Sequence, residues 1–204
     1  MPVPEIILAS TSPRRAALLA QLGLPFRVVP STLDEIGAWP ANPGEDHEGR
    51  ACRLARAKAQ EVAARVGRGL VIGADTIVVC EGIAYGKPGD TGEAQIILSR
   101  LAGRIHQVIT GVVVTEAETG SVEIASAMTA VRMRSFGPTE VAAYVATGEP
   151  VDKAGAYAIQ GRGALLVEWI QGDYSNVVGL PLPTLARLLR RFGLDIWEAA
   201  SVRS

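Results

Sequence analysis

Cysteine and histidine are nearly missing from this chain of 204 residues: each occurs twice, as Cys52, Cys80, His47 and His106. The cysteines do not form a C-x-x-C pair, so neither a disulfide framework nor a cysteine zinc site has support, and two histidines are too few for a histidine-rich metal centre. A reducing cytosol is the compartment that fits this usage. Neither sign of charge dominates; the formal net charge is −1, which argues against nonspecific binding to nucleic acid or a membrane surface. No apolar run approaches the roughly 20 residues of a spanning helix. The start, Met1-Pro2-Val3-Pro4-Glu5, has neither a basic region nor an unbroken apolar run behind it, so a cytoplasmic, soluble protein is expected. Two phosphate-binding signatures are also missing. G-x-x-x-x-G-K-[ST] does not occur, and Gly161-Arg162-Gly163 is followed by Leu166 where the dinucleotide fingerprint requires its third glycine.

What is present describes a globular, enzyme-like chain: 48% hydrophobic and 20% charged residues with 22 glycines and 12 prolines. The length suits one substantial α/β domain over residues 1–204, with room for two lobes. Ile6 to Ala9 followed by Ser10-Thr11-Ser12-Pro13 and the helical spacing of Ala16, Leu18, Leu19 and Leu22 predict strand, loop, helix, with Ser12 as N-cap and Pro13 at the first helical position. Phe26 to Pro30 predicts a second short strand, and Ser31 to Gly49 a long loop. A helix is expected from about Glu48 to Val66, with Ala51, Ala55, Ala59, Val62 and Val66 on its apolar face and Lys58 at that face's edge. Leu70 to Cys80 is nearly continuous in apolar residues and predicts a central strand. Beyond it lie a turn at Gly86 to Asp90, a helix at Thr91 to Ala102, strands at Val108 to Val114 and Val122 to Met133, and helices at Thr139 to Ala146 and Pro183 to Phe192.

Three places concentrate polar chemistry. Asp75 interrupts the central strand, and a carboxylate in apolar surroundings costs several kcal/mol unless a cation or donors compensate. In open α/β sheets such residues serve ligands at the carboxyl ends of strands. Ser10 and Ser12 offer hydroxyls at a helix N-terminus, and Arg14 and Arg15 oppose the helix dipole there unless an anion joins them, for which a phosphate is suited. Glu149 to Gly163 sets Asp152, Lys153, Tyr157, Gln160 and Arg162 among glycines, the pattern of a binding loop. Glu35, Lys58 and Lys87 complete a set of carboxylates and lysines able to hold a polyphosphate and a divalent ion, with oxygen ligands that suit Mg²⁺ or Mn²⁺. His106, beside an apolar strand, is expected to be structural.

Six segments occur in order: Ala9 to Arg15, Gly73 to Thr76, Gly86 to Pro88, His106 to Gly111, Asp152 to Gly161 and Asn176 to Leu182. Together they resemble the Maf family of nucleoside triphosphate pyrophosphatases, first associated with septum formation. The resemblance implies an elongated α/β fold of two lobes, a mixed sheet with flanking helices and a central cleft, akin to inosine triphosphate pyrophosphatase. It further implies a metal-dependent cytosolic homodimer that acts on a nucleoside triphosphate. Asp152 to Tyr157 and Ile159 to Gly161 are similar to the branch acting on dTTP and UTP and differ from the branch acting on 7-methyl-GTP. By that resemblance Asp75 matches the proton acceptor; Arg14, Thr76 and Gln160 match positions of substrate choice; and Glu35, Lys58 and Lys87 match cleft residues. Glu35 or Asp75 would hold the metal in part, Asp75 being either base or ligand. Two local departures are Ala158, where glycine is usual, and the Asp173-Tyr174-Ser175 step. Rival expectations are a modified-purine pyrophosphatase and a nucleotide-binding regulator of cell division with incidental turnover.

Overall fold

The computed structural model describes residues 4–201, without the side chains of residues 35, 36 and 199–201. Seven strands form one mixed sheet in the order β2-β1-β3-β5-β6-β7, with β4 paired to β3, and helices flank it. Two compact units divide the chain. The first comprises residues up to Asp75, Thr110–Ala127 and Gly179 onward; the second comprises Thr76–Ile109 and Met128–Val178. Among the described residues no helix is long and apolar enough to cross a membrane.

In the first unit β1 (Ile6–Leu8) lies between β2 (Phe26–Val28) and the start of β3 (Leu70–Cys80), parallel to both, with Ile6 opposite Phe26 and Leu70. Both strands reach β1 through helical crossovers, as parallel pairing requires. α1 (Pro13–Ala20) begins where Ser12 caps it. α3 (His47–Val66) begins where Asp46 Oδ1 accepts from Gly49 N at 2.7 Å, and it stops at Gly67, which takes the left-handed conformation (φ 71°). The expected loop from Ser31 to Gly49 is thus shorter than the sequence suggests: α2 (Glu35–Ala38) interrupts it, and the Asp46 cap starts α3 at His47.

α3 packs its alanine face directly onto the sheet. A Cβ at Gly73 of β3 would lie 2.3 Å from the Ala55 carbonyl oxygen, and one at Gly111 of β5 (Ile105–Glu116) 2.4 Å from the Ala51 carbonyl carbon. Glycine on the strands and alanine on the helix therefore let backbones approach where side chains would normally hold them apart. Ile7, Ala55, Ala59, Val62, Val71 and Val113 close the core around this contact, and full burial of a side chain such as Val62 or Val71 stabilises by about 1.5–3 kcal/mol.

In the second unit β4 (Ile83–Tyr85) turns back antiparallel onto the end of β3, and β7 (Val167–Gln171) pairs antiparallel with the end of β6 (Val122–Met133). α4 (Thr91–Leu101) is capped by Asp90, and α5 (Pro138–Val145) starts with proline at its first turn. Val78, Leu98, Leu101, Val131, Met133 and Tyr144 form its core. Asp173, one of the two departures noted in the sequence, accepts from Ser175 N at 2.7 Å at the start of α6 (Tyr174–Val178). α7 (Leu182–Arg191) and α8 (Ile196–Ser201) end the chain in the first unit.

Candidate functional site

The close approach of α3 to β3 determines what happens to Asp75. Side chains alternate along a strand, so Val71, Gly73 and Asp75 all face α3. Val71 joins the alanine core and Gly73 admits the helix backbone; Asp75 meets Lys58, one turn beyond Leu54. Lys58 Nζ donates to Asp75 Oδ1 at 2.7 Å, with the two side chains only 6% and 12% exposed. The helical pattern places Lys58 at the edge of the apolar face; the structure seats it inside, because small residues on both surfaces leave the separation short enough for its ammonium to reach the strand. Buried charges of this kind persist only when paired. Asp75 commits Oδ1 to the lysine, and its second oxygen makes no hydrogen bond among the described residues.

Asp75 stands three positions past Ile72, the last residue of β3 that pairs with β1. It therefore lies roughly 10 Å beyond the end of the parallel ladder at about 3.3 Å per residue, on the carboxyl side, where the chain leaves β1 for α1. The loop there is tightly drawn. Ala9 N donates to Ile72 O at 2.8 Å, Ser10 is buried, Ser12 N donates to Ser10 Oγ at 3.1 Å, and Ser12 Oγ accepts from Arg15 N at 3.5 Å. The first turn of α1 contains no acidic residue, so its dipole faces Arg14 and Arg15 uncompensated from within the turn. Arg15 has a structural commitment that its sequence position does not reveal: its Nε donates to Gly179 O at 2.7 Å, tying α1 to the residues before α7.

Arg53 was not singled out by the sequence. On α3, it bonds Glu45 Oε1 at 2.8 Å and the carbonyls of Ala38 and Pro40 at 3.0 and 2.9 Å, and so clamps the stretch that follows α2. Its hydrogen bond to Glu45 is the main reason that carboxyl is held below its ordinary value. Glu35 opens α2, and its side chain lies outside the described residues.

The remaining expected residues belong to the second unit. Thr76 follows Asp75 on β3 with its side chain on the opposite face, Lys87 is exposed in the turn after β4, and Gln160 is exposed in the Glu149–Gly163 loop. Within that loop the sequence grouped Tyr157 with the binding side chains. The structure buries it instead: Tyr157 Oη meets His106 Nε2 at 2.8 Å in an edge-to-face pair. His106, expected to be a satisfied structural residue, is buried inside β5, but its Nδ1 has no hydrogen-bond partner among the described residues. Ala158 has no positive φ and substitutes for glycine without backbone strain; its N–H donates to Tyr144 Oη at 3.1 Å. Among the described residues no three His, Cys, Asp or Glu side chains gather as a metal cage.

The sequence model of Maf-like proteins matches residues 5–192. A dTTP/UTP pyrophosphatase of Moorella thermoacetica is 53% identical over 193 residues, 95% of this chain and 97% of that protein. Proteins of the same name from Geotalea uraniireducens and Symbiobacterium thermophilum are 50% and 47% identical, covering 93% and 97% of this chain and 95% and 98% of theirs. With the glycine-admitted Lys58–Asp75 pair and the capped Ser12 helix inside the matched span, the chain belongs to the Maf-like protein family.

Proposed function

We infer that this protein hydrolyses dTTP and UTP to the corresponding monophosphate and pyrophosphate. Relatives about half identical over almost its entire length carry that activity in their names. The observation that carries the reading in this chain is the buried Lys58–Asp75 pair just past the parallel ladder. A carboxylate kept in so apolar a place, with one oxygen engaged by a lysine and the other meeting no donor among the described residues, is arranged to act on something that arrives.

Asp75 orients and deprotonates the attacking water against the α-phosphorus, and Lys58 fixes the rotamer from which it does so. The α1 N-terminus, with Ser10, Ser12 and Arg14, receives phosphate oxygens: backbone N–H groups, hydroxyls and a guanidinium all favour an anion, and charge developing in the transition state strengthens each contact. Attack at the α-phosphorus breaks the bond to the bridging oxygen, which leaves with pyrophosphate. Lys87 and Arg15 add positive charge for the triphosphate, and Thr76 and Gln160 select the base. Thymine and uracil share an O4 acceptor and an N3–H donor that a glutamine amide matches, whereas cytosine reverses both.

A divalent cation is part of the proposal. A single carboxylate oxygen suits a hard ion such as Mg²⁺ or Mn²⁺ that keeps water and phosphate oxygens around it, and it does not suit a caged zinc. Glu35 would hold it while the second oxygen of Asp75 serves the water, and an Asp75 that holds the ion instead would act as ligand and not as base; when bound, the ion would neutralise charge on the phosphate oxygens. The working form proposed is a cytoplasmic homodimer, which sedimentation at working concentration tests. The activity is tested by kcat/KM for dTTP, UTP, CTP, GTP and 7-methyl-GTP with the released phosphate species identified; preference for 7-methyl-GTP contradicts the branch, and orthophosphate as first product contradicts the attack at the α-phosphorus.

A further inference from the structure

We propose that the buried His106–Tyr157 hydrogen bond is a positioning contact that holds the Glu149–Gly163 loop in the single shape from which Gln160 reads the pyrimidine. The inference rests on the function inferred above and identifies what makes its base selection rigid.

The loop adopts a shape that its own backbone disfavours. Gly155 is at φ 71°, where a Cβ would meet Val78 Cγ2 at 2.7 Å, and the next residue, Ala156, is an L-residue at φ 57°. Left-handed backbone at a residue with a Cβ persists only where its surroundings over-determine it. The anchors that do so lie on both sides of Gln160. Gly155 N donates to Gly86 O at 3.0 Å, Tyr157 Oη meets His106 Nε2 at 2.8 Å, and Ala158 N donates to Tyr144 Oη at 3.1 Å. After Gln160, Gly161 again takes a left-handed φ of 64°, and the N–H groups of Arg162 and Gly163 donate to the Glu149 carboxylate at 3.1 and 3.2 Å. Burial pushes that carboxyl up, but these donors, with Tyr144 and Lys153, outweigh it and hold Glu149 below its ordinary value. Gln160 is therefore an exposed amide carried between two pinned backbones, and the nearest side-chain anchor before it is Tyr157.

His106 and Tyr157 are suited to hold and poorly suited to react. Burial lowers the imidazole to about 4 and raises the phenol, so both are neutral near pH 7. The unpartnered, buried His106 Nδ1 marks a cost that an apolar side chain would not incur. A polar pair retained at that cost specifies geometry, since the only hydrogen bond it makes among the described residues is the one that ends on the loop.

The test is steady-state kinetics with UTP and CTP on wild type, Tyr157→Phe, Tyr144→Phe, His106→Leu and His106→Gln, with urea unfolding of each. Tyr157→Phe deletes one hydroxyl from the buried pair. It is expected to raise KM for UTP by roughly two- to twelvefold, the span of one neutral hydrogen bond, with kcat nearly unchanged and the UTP-over-CTP preference reduced by a similar factor. Tyr144→Phe and His106→Leu are expected to act in the same direction, and His106→Gln, whose amide reaches toward the Nε2 position, to recover much of the preference. Variants that lose stability yet keep the wild-type KM and the UTP-over-CTP ratio overturn the inference and leave the pair as packing only. An active enzyme indifferent to all four changes does the same. A wild-type protein without UTP turnover is a different result: it overturns the functional reading, and the inference with it.

Discussion

Replacing Asp75 by asparagine separates chemistry from folding, because its partner is known and buried. Lys58 Nζ lies 2.7 Å from Asp75 Oδ1, with 6% and 12% side-chain exposure. Removing one member of a buried pair costs about 3–5 kcal/mol because the other charge is left uncompensated. The asparagine oxygen can still accept from Lys58, so the lower end, about 3 kcal/mol, applies. Against a total stability of at least about 5 kcal/mol, more than roughly nine molecules in ten stay folded. Unfolding therefore explains no more than a small fraction of any activity loss, whereas removal of a general base lowers the rate by about 10²–10⁴. Urea titration and pyrophosphate release from saturating dTTP read the two effects in one preparation. The double variant Asp75→Asn/Lys58→Met sharpens the result: it removes both charges, and replacement of a buried ion pair by groups without charge is often neutral for stability. Recovered stability without recovered turnover is the expected outcome. Near wild-type kcat in Asp75→Asn, or activity that returns with stability in the double variant, refutes a chemical role for Asp75.

Gly73→Ala is expected to destabilise by about 1–3 kcal/mol through overpacking, because its Cβ would lie 2.3 Å from the Ala55 carbonyl oxygen; the urea midpoint reads it. Stability should decline as pH falls from 6.5 towards 4, because burial holds His106 at about 4 against an ordinary 6.5 and the unfolded chain alone takes up the proton in that window. The slope is about 1.4 kcal/mol per pH unit, and His106→Gln should remove that component in urea titrations at stepped pH. Arg14→Ala is expected to weaken triphosphate binding by roughly ten- to a hundredfold, as loss of a charge-assisted contact does, with nucleoside binding unchanged; calorimetry that finds equal losses for both removes phosphate binding as its role.

Where one face or one run dominates, the sequence is a sufficient guide. The apolar continuity of Leu70 to Cys80 predicts β3 with its observed ends, and the Ser12-Pro13 step predicts the start of α1. Four-residue α2 and three-residue β4 escape notice, unlike the similarly short β1 and β2, because glycines within or beside them read as loop or turn; tertiary contacts hold them, the Arg53 clamp on Ala38 for α2 and pairing with β3 for β4. Lys58 illustrates a subtler limit. Helical periodicity assigns it a direction, but its depth depends on how closely α3 meets the sheet, and that distance is determined by Gly73 and Gly111 on strands far away in sequence. Glycines inside otherwise apolar strands were the available signal. The same holds for Tyr157, whose loop composition suggests a ligand contact while its hydrogen bond to a residue 51 positions earlier buries it.

The most direct test of the central claim is a single-turnover reaction of the purified protein with dTTP or UTP in ¹⁸O-labelled water, with Mg²⁺ supplied and both products identified. The account predicts nucleoside monophosphate carrying the label and unlabelled pyrophosphate, from dTTP and UTP far more readily than from CTP or 7-methyl-GTP. Label in pyrophosphate or orthophosphate, or a diphosphate as first product, contradicts it.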